Sequence, residues 1–134
     1  MARDLSIVIP SFNEAAHMQK VLDDWIGVCQ RLNIDFQITV YDGGSTDSTL
    51  DIVRATVQVN SPGVVELKIL PGVPHGPSIL RGYREATTEW IFQMDSDDAF
   101  GTRAFEEPVS YTHLWTLACS ASTTSSGSQV LRRV

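Results

Sequence analysis

The sequence Asp95-Ser96-Asp97-Asp98 offers the strongest chemical signal in this chain. Side chains two apart on an extended segment point the same way. Carboxylates aligned in that manner make an oxygen site for a hard divalent cation, whose shell is completed by water and substrate phosphates. The competing reading is a solvated turn, with Asp97 or Asp98 capping a helix. A second cluster is Asp42-Gly43-Gly44-Ser45-Thr46-Asp47. An aspartate ahead of a glycine turn can accept a hydrogen bond from a ribose hydroxyl or a base N–H, or it can belong to a plain turn and cap. The turn leads into a helix start, which favours anionic groups nearby. The pattern is neither a P-loop nor GxGxxG, so those phosphate mechanisms do not apply. Arg81 can reach a diphosphate or a pyrimidine carbonyl, or it can be an ordinary surface arginine. His75 reads as structural or solvent-exposed, and Trp25 and Trp90 as core.

These residues need elements to hold them. LSIVIP (5–10) is a β-branched run that reads as a strand buried on both faces. Met18, Val21, Leu22, Trp25, Ile26, Cys29 and Leu32 then follow a helical period, with Ser11 or Asn13 as the cap and Glu14 at the positive end. FQITVYD (36–42) is a second strand, and Thr46-Asp47-Ser48 can cap a helix through Leu50, Val53 and Val57. VVELKIL (64–70) is a third strand and PGVPHGPS (71–78) a loop. Ile79, Leu80, Tyr83 and Ala86 mark a short helix, and EWIFQMD (89–95) a fourth strand. The order β-α-β-α-β-α-β predicts an α/β fold: a Rossmann-like, open, mostly parallel sheet with helices on both faces. Ligands of such sheets bind beyond the carboxyl ends of the strands, where all three polar clusters fall.

Composition narrows the function classes. In 134 residues, 43% are hydrophobic, enough for one buried core and too many for a disordered chain. The net charge of −6 argues against nucleic acid as a partner. No apolar run reaches the roughly 18–20 residues that span a bilayer, and the N-terminus lacks a secretory cleavage site. Two cysteines make neither a disulfide framework nor a zinc site, which fits a reducing, cytoplasmic setting. All 16 acids lie in residues 1–107 beside 8 of the basic residues, whereas the last 27 residues hold no acid and ten Ser or Thr. The break divides the chain into 1–107 and a tail, 108–134, expected to be disordered or foreign to the domain and to form no part of a site.

Taken together, SIVIPSFNE (6–14), VYDGGSTDST (40–49) and GPSILRGYREATTEWIFQMDSDD (76–98) resemble the family 2 glycosyltransferases, nucleotide-sugar enzymes of the GT-A fold. The resemblance spans residues 4–105 and is nearest to the polyprenyl-phosphate sugar transferase branch. It implies that Pro10, Ser11, Asn13 and Glu14 line the nucleotide pocket and that Asp42 bonds the base. It implies that Asp95 and Asp97 form a DxD pair, with Asp95 also on the ribose and both on Mg or Mn. Arg81 sits near a position often basic or polar in the family. Gly43 departs from the pattern, since many members carry a second Asp there.

The activity so implied is inverting transfer from a UDP- or GDP-sugar to an acceptor: polyprenyl phosphate, a glycan or another. The implied location is cytoplasmic, at the inner face of a membrane with which a longer protein would associate. The family's base and acceptor pocket follow the DxD motif, so no catalytic residue is assigned. Residues 1–107 are then the nucleotide-sugar-binding half of a truncated domain, expected to bind nucleotide weakly, if at all, and not to turn over. Two alternatives stand beside this one. The first is a non-catalytic nucleotide-binding module. The second is a DxD phosphohydrolase with Asp95 as nucleophile, disfavoured because the motif follows the fourth strand and Ala99 stands where a Thr is usual.

Overall fold

A computed structural model describes residues 4–93 and the backbone of residues 129–132. Along the chain run β1 (Leu5–Ser11), α1 (Ala15–Arg31), β2 (Phe36–Asp42), α2 (Thr49–Val59), β3 (Val65–Ile69), α3 (His75–Glu85), β4 (Trp90–Gln93) and β5 (Gln129–Arg132). The sheet order is β3-β2-β1-β4-β5; β1 to β4 are mutually parallel, and β5 pairs antiparallel with β4. The predicted α/β open sheet, its element order and its mostly parallel character are all present.

β1 lies at the centre and all seven of its residues are buried. Cover on both faces explains why its sequence reads as an apolar run and not as an alternating one. Leu5, Ile7 and Ile9 join Ile38, Val40, Val65, Trp90 and Phe92 in one core with Met18, Leu22, Trp25 and Cys29 of α1 and Val53 of α2. Trp25 and Phe92 meet there with ring centroids 4.7 Å apart. Val8, pointing the other way, clusters with Tyr41 and Ile91 against Tyr83 and Ala86, which bring in α3. The two clusters put α1 and α2 on one face of the sheet and α3 on the other.

That division follows from the topology. The chain builds outward from β1 to β2 and β3, then returns through α3 to lay β4 on the opposite side of β1. Right-handed crossovers in opposite directions deliver their helices to opposite faces. The strand order therefore reverses between β1 and β4, the switch point where open α/β sheets bind ligands.

Three local details depart from the sequence reading. α3 begins at His75, inside the stretch 71–78 read as loop. Its Pro77 is tolerated because first-turn N–H groups have no helical acceptor to lose. α1 is not capped by Ser11 or Asn13: its N-cap is Glu14, with no side-chain cap bond. Lastly, the tail contributes an edge strand, where composition gave no strand.

Candidate functional site at the strand ends

Ser11 and Asp42 are partners at the last rung of the β1–β2 ladder, so both polar rims start from the same level of the sheet. Beyond them the backbone stays knitted. Gly43 N–H donates to the Ser11 carbonyl (2.9 Å), Leu70 N–H to the Asp42 carbonyl (2.7 Å), and Gly72 N–H to the Gly43 carbonyl (3.0 Å). A Cβ on Gly43 would stand 3.1 Å from the Val73 carbonyl oxygen and 3.6 Å from Phe12 Cδ2. The β3–α3 connection thus passes too close for a side chain without shifting, which gives a physical reason for glycine here. Gly44 takes φ +102°, open to glycine at little cost.

Asp42 has no solvent exposure. Its Oδ1 accepts from the N–H groups of Gly44 (2.8 Å) and Ser45 (2.7 Å), and its Oδ2 from the Ser45 hydroxyl (2.5 Å). The carboxylate therefore braces the turn that it opens. A carboxylate has about four acceptor positions, so close to one is left for anything else.

The β1–α1 loop is tied to this turn by bonds between residues more than thirty positions apart. Asn13 N–H donates to Ser45 Oγ (2.8 Å), while its side-chain oxygen accepts from the N–H of Thr46 (2.7 Å) and of Asp47 (3.3 Å). Asn13 holds φ 51°, a left-handed conformation that asparagine tolerates better than most residues. Glu14 N–H donates to Thr49 Oγ1 (3.0 Å) and Ala15 N–H to Asp47 Oδ2 (3.3 Å). Asp47 Oδ1 also accepts from Thr49 N–H (2.9 Å) and from the Thr49 hydroxyl. The Thr49 hydroxyl, then its N–H, then the Ala15 N–H hold the Asp47 carboxyl below its usual range. Thus the amides leading into α1 are held by side chains of the β2–α2 loop, while Asp47 also caps α2 locally, as the sequence reading allowed.

Of the predicted site residues, the rim brings together Ser11, Asn13, Glu14 and Asp42. Pro10 is buried in β1. Ser11 Oγ is buried with no hydrogen-bond partner among the described residues. Arg81 lies on α3, where its Nε donates to Glu85 Oε1 (2.6 Å). His75 is exposed at the first position of that helix, and Trp25 and Trp90 are core residues as read. Asp95 and Asp97 lie outside the described residues, two and four positions past the end of β4 at Gln93. Among the described residues no cluster of three or more His, Cys, Asp or Glu can hold a metal, and the rim acids Asp42 and Asp47 are occupied by hydrogen bonds. Sequence reasoning placed Ser45 and Asp47 in the rim cluster as turn and cap residues but gave them no bonds to the β1–α1 loop, and it did not single out Thr49. It also passed over Phe12, whose ring is 49% exposed beside the Gly43 turn.

The family model for glycosyl transferase family 2 matches residues 6–113. The chain belongs to that family. As a family 2 domain it is 25% identical over 97 residues to an undecaprenyl-phosphate 4-deoxy-4-formamido-L-arabinose transferase of Serratia proteamaculans, covering 71% of this chain and 29% of the relative. The Pseudomonas paraeruginosa enzyme of the same name is 26% identical over 93 residues, at 69% and 27% coverage. The family 2 chain thus spans less than a third of these curated relatives. Among solved structures it is similar to a Pyrobaculum calidifontis mannosyltransferase in complex with GDP-Man and Mn2+ (TM-score 0.62, 21% identity, 72% of this chain and 28% of that one). It is also similar to TarS of S. aureus in complex with UDP-GlcNAc (TM-score 0.56, 23% identity, 70% and 26%). These likenesses establish the partial GT-A fold of the family 2 domain. No helix among its described residues is long and apolar enough to cross a membrane.

Proposed function

We propose that residues 1–107 bind the nucleotide-diphosphate sugar of an inverting glycosyltransferase at the carboxyl ends of β1, β2 and β4. The observation that carries this reading is the joined rim at the carboxyl ends of β1 and β2, on one side of the switch point, where Ser11 and Asp42 face each other across one ladder rung. Three features support it. Asp42 keeps about one acceptor position, suited to a base N–H or a ribose hydroxyl. Ser11 Oγ is a buried hydroxyl with spare bonding capacity. The half-exposed Phe12 ring offers a flat apolar face on which a base can stack.

Pro10, Asn13 and Glu14 complete the nucleotide wall in this proposal, and Arg81 contributes if it leaves Glu85 for the diphosphate. Asp95 and Asp97 are assigned to Mg or Mn, with Asp95 also on the ribose. That ion, when bound, neutralises charge on the leaving diphosphate. The described residues supply no donor set for it. The acceptor hydroxyl or phosphate oxygen would attack the anomeric carbon from the face opposite the leaving group, and the base for a hydroxyl acceptor is expected after the DxD motif. The location proposed is the cytoplasmic side of a membrane, with polyprenyl phosphate as one acceptor class.

An NMR titration of the chain with UDP and GDP in MgCl2 tests the reading. Expected are Mg2+-dependent shifts at Ser11, Asn13 and Ser45 that vanish in Asp97→Ala. Shifts independent of Mg2+ and of Asp97 support a non-catalytic nucleotide module. Covalent phosphate on Asp95 supports a phosphohydrolase and overturns the proposal.

A further inference from the structure

The three consecutive amides that lead into α1 are held by one partner loop. Asn13 N–H goes to Ser45 Oγ, Glu14 N–H to Thr49 Oγ1 and Ala15 N–H to Asp47 Oδ2. A helix start normally presents such amides to an anion. Here a carboxylate from the same chain already stands on the first of the helix's own amides, Ala15. These side chains instead join the two loops that carry Asp42 and Glu14.

Ser45 has one proton, and it is given to Asp42 Oδ2 at 2.5 Å, while a lone pair receives the Asn13 amide at 2.8 Å. The hydroxyl cannot rotate without losing one of these bonds. Asp47 joins the starts of α1 and α2 in the same way, one oxygen on Ala15 and the other on Thr49. Its negative charge lies at the positive ends of both helices. Buried Thr49 then passes the constraint to the Glu14 backbone.

We propose that Ser45 and Asp47 are positioning residues that lock the β1–α1 and β2–α2 loops into one rigid rim and so set where Asp42 and Glu14 meet the nucleotide. The role rests on the donor-site reading above. A flexible rim would have to be ordered on each binding event, and that ordering would be subtracted from affinity.

The test uses the full 134-residue chain, amide hydrogen exchange and NMR titration with UDP and GDP in MgCl2. In Ser45→Ala the Asn13 amide should exchange at least about tenfold faster, and nucleotide affinity should fall about tenfold, as expected for a lost hydrogen bond to a charged group. Asp47→Ala should do the same for the Ala15 amide. The amides of Ile7 and Ile38, deep in the sheet, should stay protected in both variants, which separates rim loosening from unfolding. Ser45→Thr, which keeps the hydroxyl, should restore both readouts. Unchanged exchange at Asn13 in Ser45→Ala overturns the lock. Faster exchange with undiminished affinity reduces the bonds to local structure and overturns positioning. A wild-type chain that binds neither nucleotide overturns the donor-site reading, and the positioning role falls with it.

Discussion

Ser11 and Asp42 occupy the same rung of the β1–β2 ladder, yet their polar atoms are in opposite states. Asp42 accepts three hydrogen bonds, whereas Ser11 Oγ is fully buried and has no partner among the described residues. An unsatisfied buried hydroxyl costs about 1–3 kcal/mol. In the donor-site reading proposed above, that spare capacity serves the nucleotide.

Ser11→Ala should therefore separate stability from binding. Removing a hydroxyl that has no partner among the described residues leaves only a small gap, so the urea midpoint should hold or rise. Affinity for UDP or GDP in MgCl2 should fall by about tenfold, the equivalent of one hydrogen bond of roughly 1.4 kcal/mol. A variant that is destabilised by more than about 1 kcal/mol and binds normally would show that Oγ serves the fold.

Gly82 sits where α3 crosses β1. A Cβ there would stand 2.5 Å from Val8 Cγ1 and 2.9 Å from Cγ2, with Tyr41 Cε2 at 3.3 Å. Gly→Ala within a helix ordinarily gains up to about 1 kcal/mol. Here overpacking reverses the sign, and Gly82→Ala should lower stability by about 1–3 kcal/mol. Val8→Ala should be destabilising alone, yet it should recover part of the loss when combined with Gly82→Ala. Urea unfolding of the four chains checks this non-additivity.

The sheet was legible in the sequence because β1 packs against helices on both faces, which removes polar residues from Ile7, Val8 and Ile9 and leaves an unmistakable apolar run. α1 was legible through Met18, Leu22, Trp25 and Cys29, its core stripe. The start of α3 was hidden because Gly76 and Pro77 signal a loop, although a first turn tolerates both. Convergence of Asn13, Glu14 and Asp42 followed from strand order alone. The ties between the loops did not: Ser45, Asp47 and Thr49 do serve as local turn and cap residues, and their further partners in the β1–α1 loop lie more than thirty positions away. The antiparallel pairing of β5 was equally hidden, because an edge strand of four residues carries too short a pattern to register.

Cys29 lies inside the α1 core with no exposure, and burial pushes its thiol up to about 12. Only the thiolate is nucleophilic, so Cys29 should resist modification while the chain is folded. In a Cys119→Ser background, a thiol reagent at pH 8 should label nothing in buffer and one equivalent in denaturant. Rapid labelling of the folded protein would mean that α1 opens readily from the sheet.

On the opposite face, Glu85 joins three elements: Lys68 of β3, Arg81 one turn back on α3, and Tyr41 of β2 at 3.1 Å. Hydrogen bonds from Lys68, then Arg81, outweigh the opposing effect of desolvation and hold the carboxyl at about 2, against 4.5 for the unperturbed group. Because the folded value is the lower one, the charged form favours folding. The contribution is complete above pH 4.5 and disappears as pH falls towards 2. Half-exposed partners moderate its size, since solvent and salt screen such pairs. Comparing urea midpoints of the wild type and Glu85→Gln between pH 7 and pH 2.5 isolates the effect. The wild type should be the more stable at neutral pH, and the two curves should converge through the acid window. A constant gap across the whole range would show that Glu85 acts through packing and not through its charge.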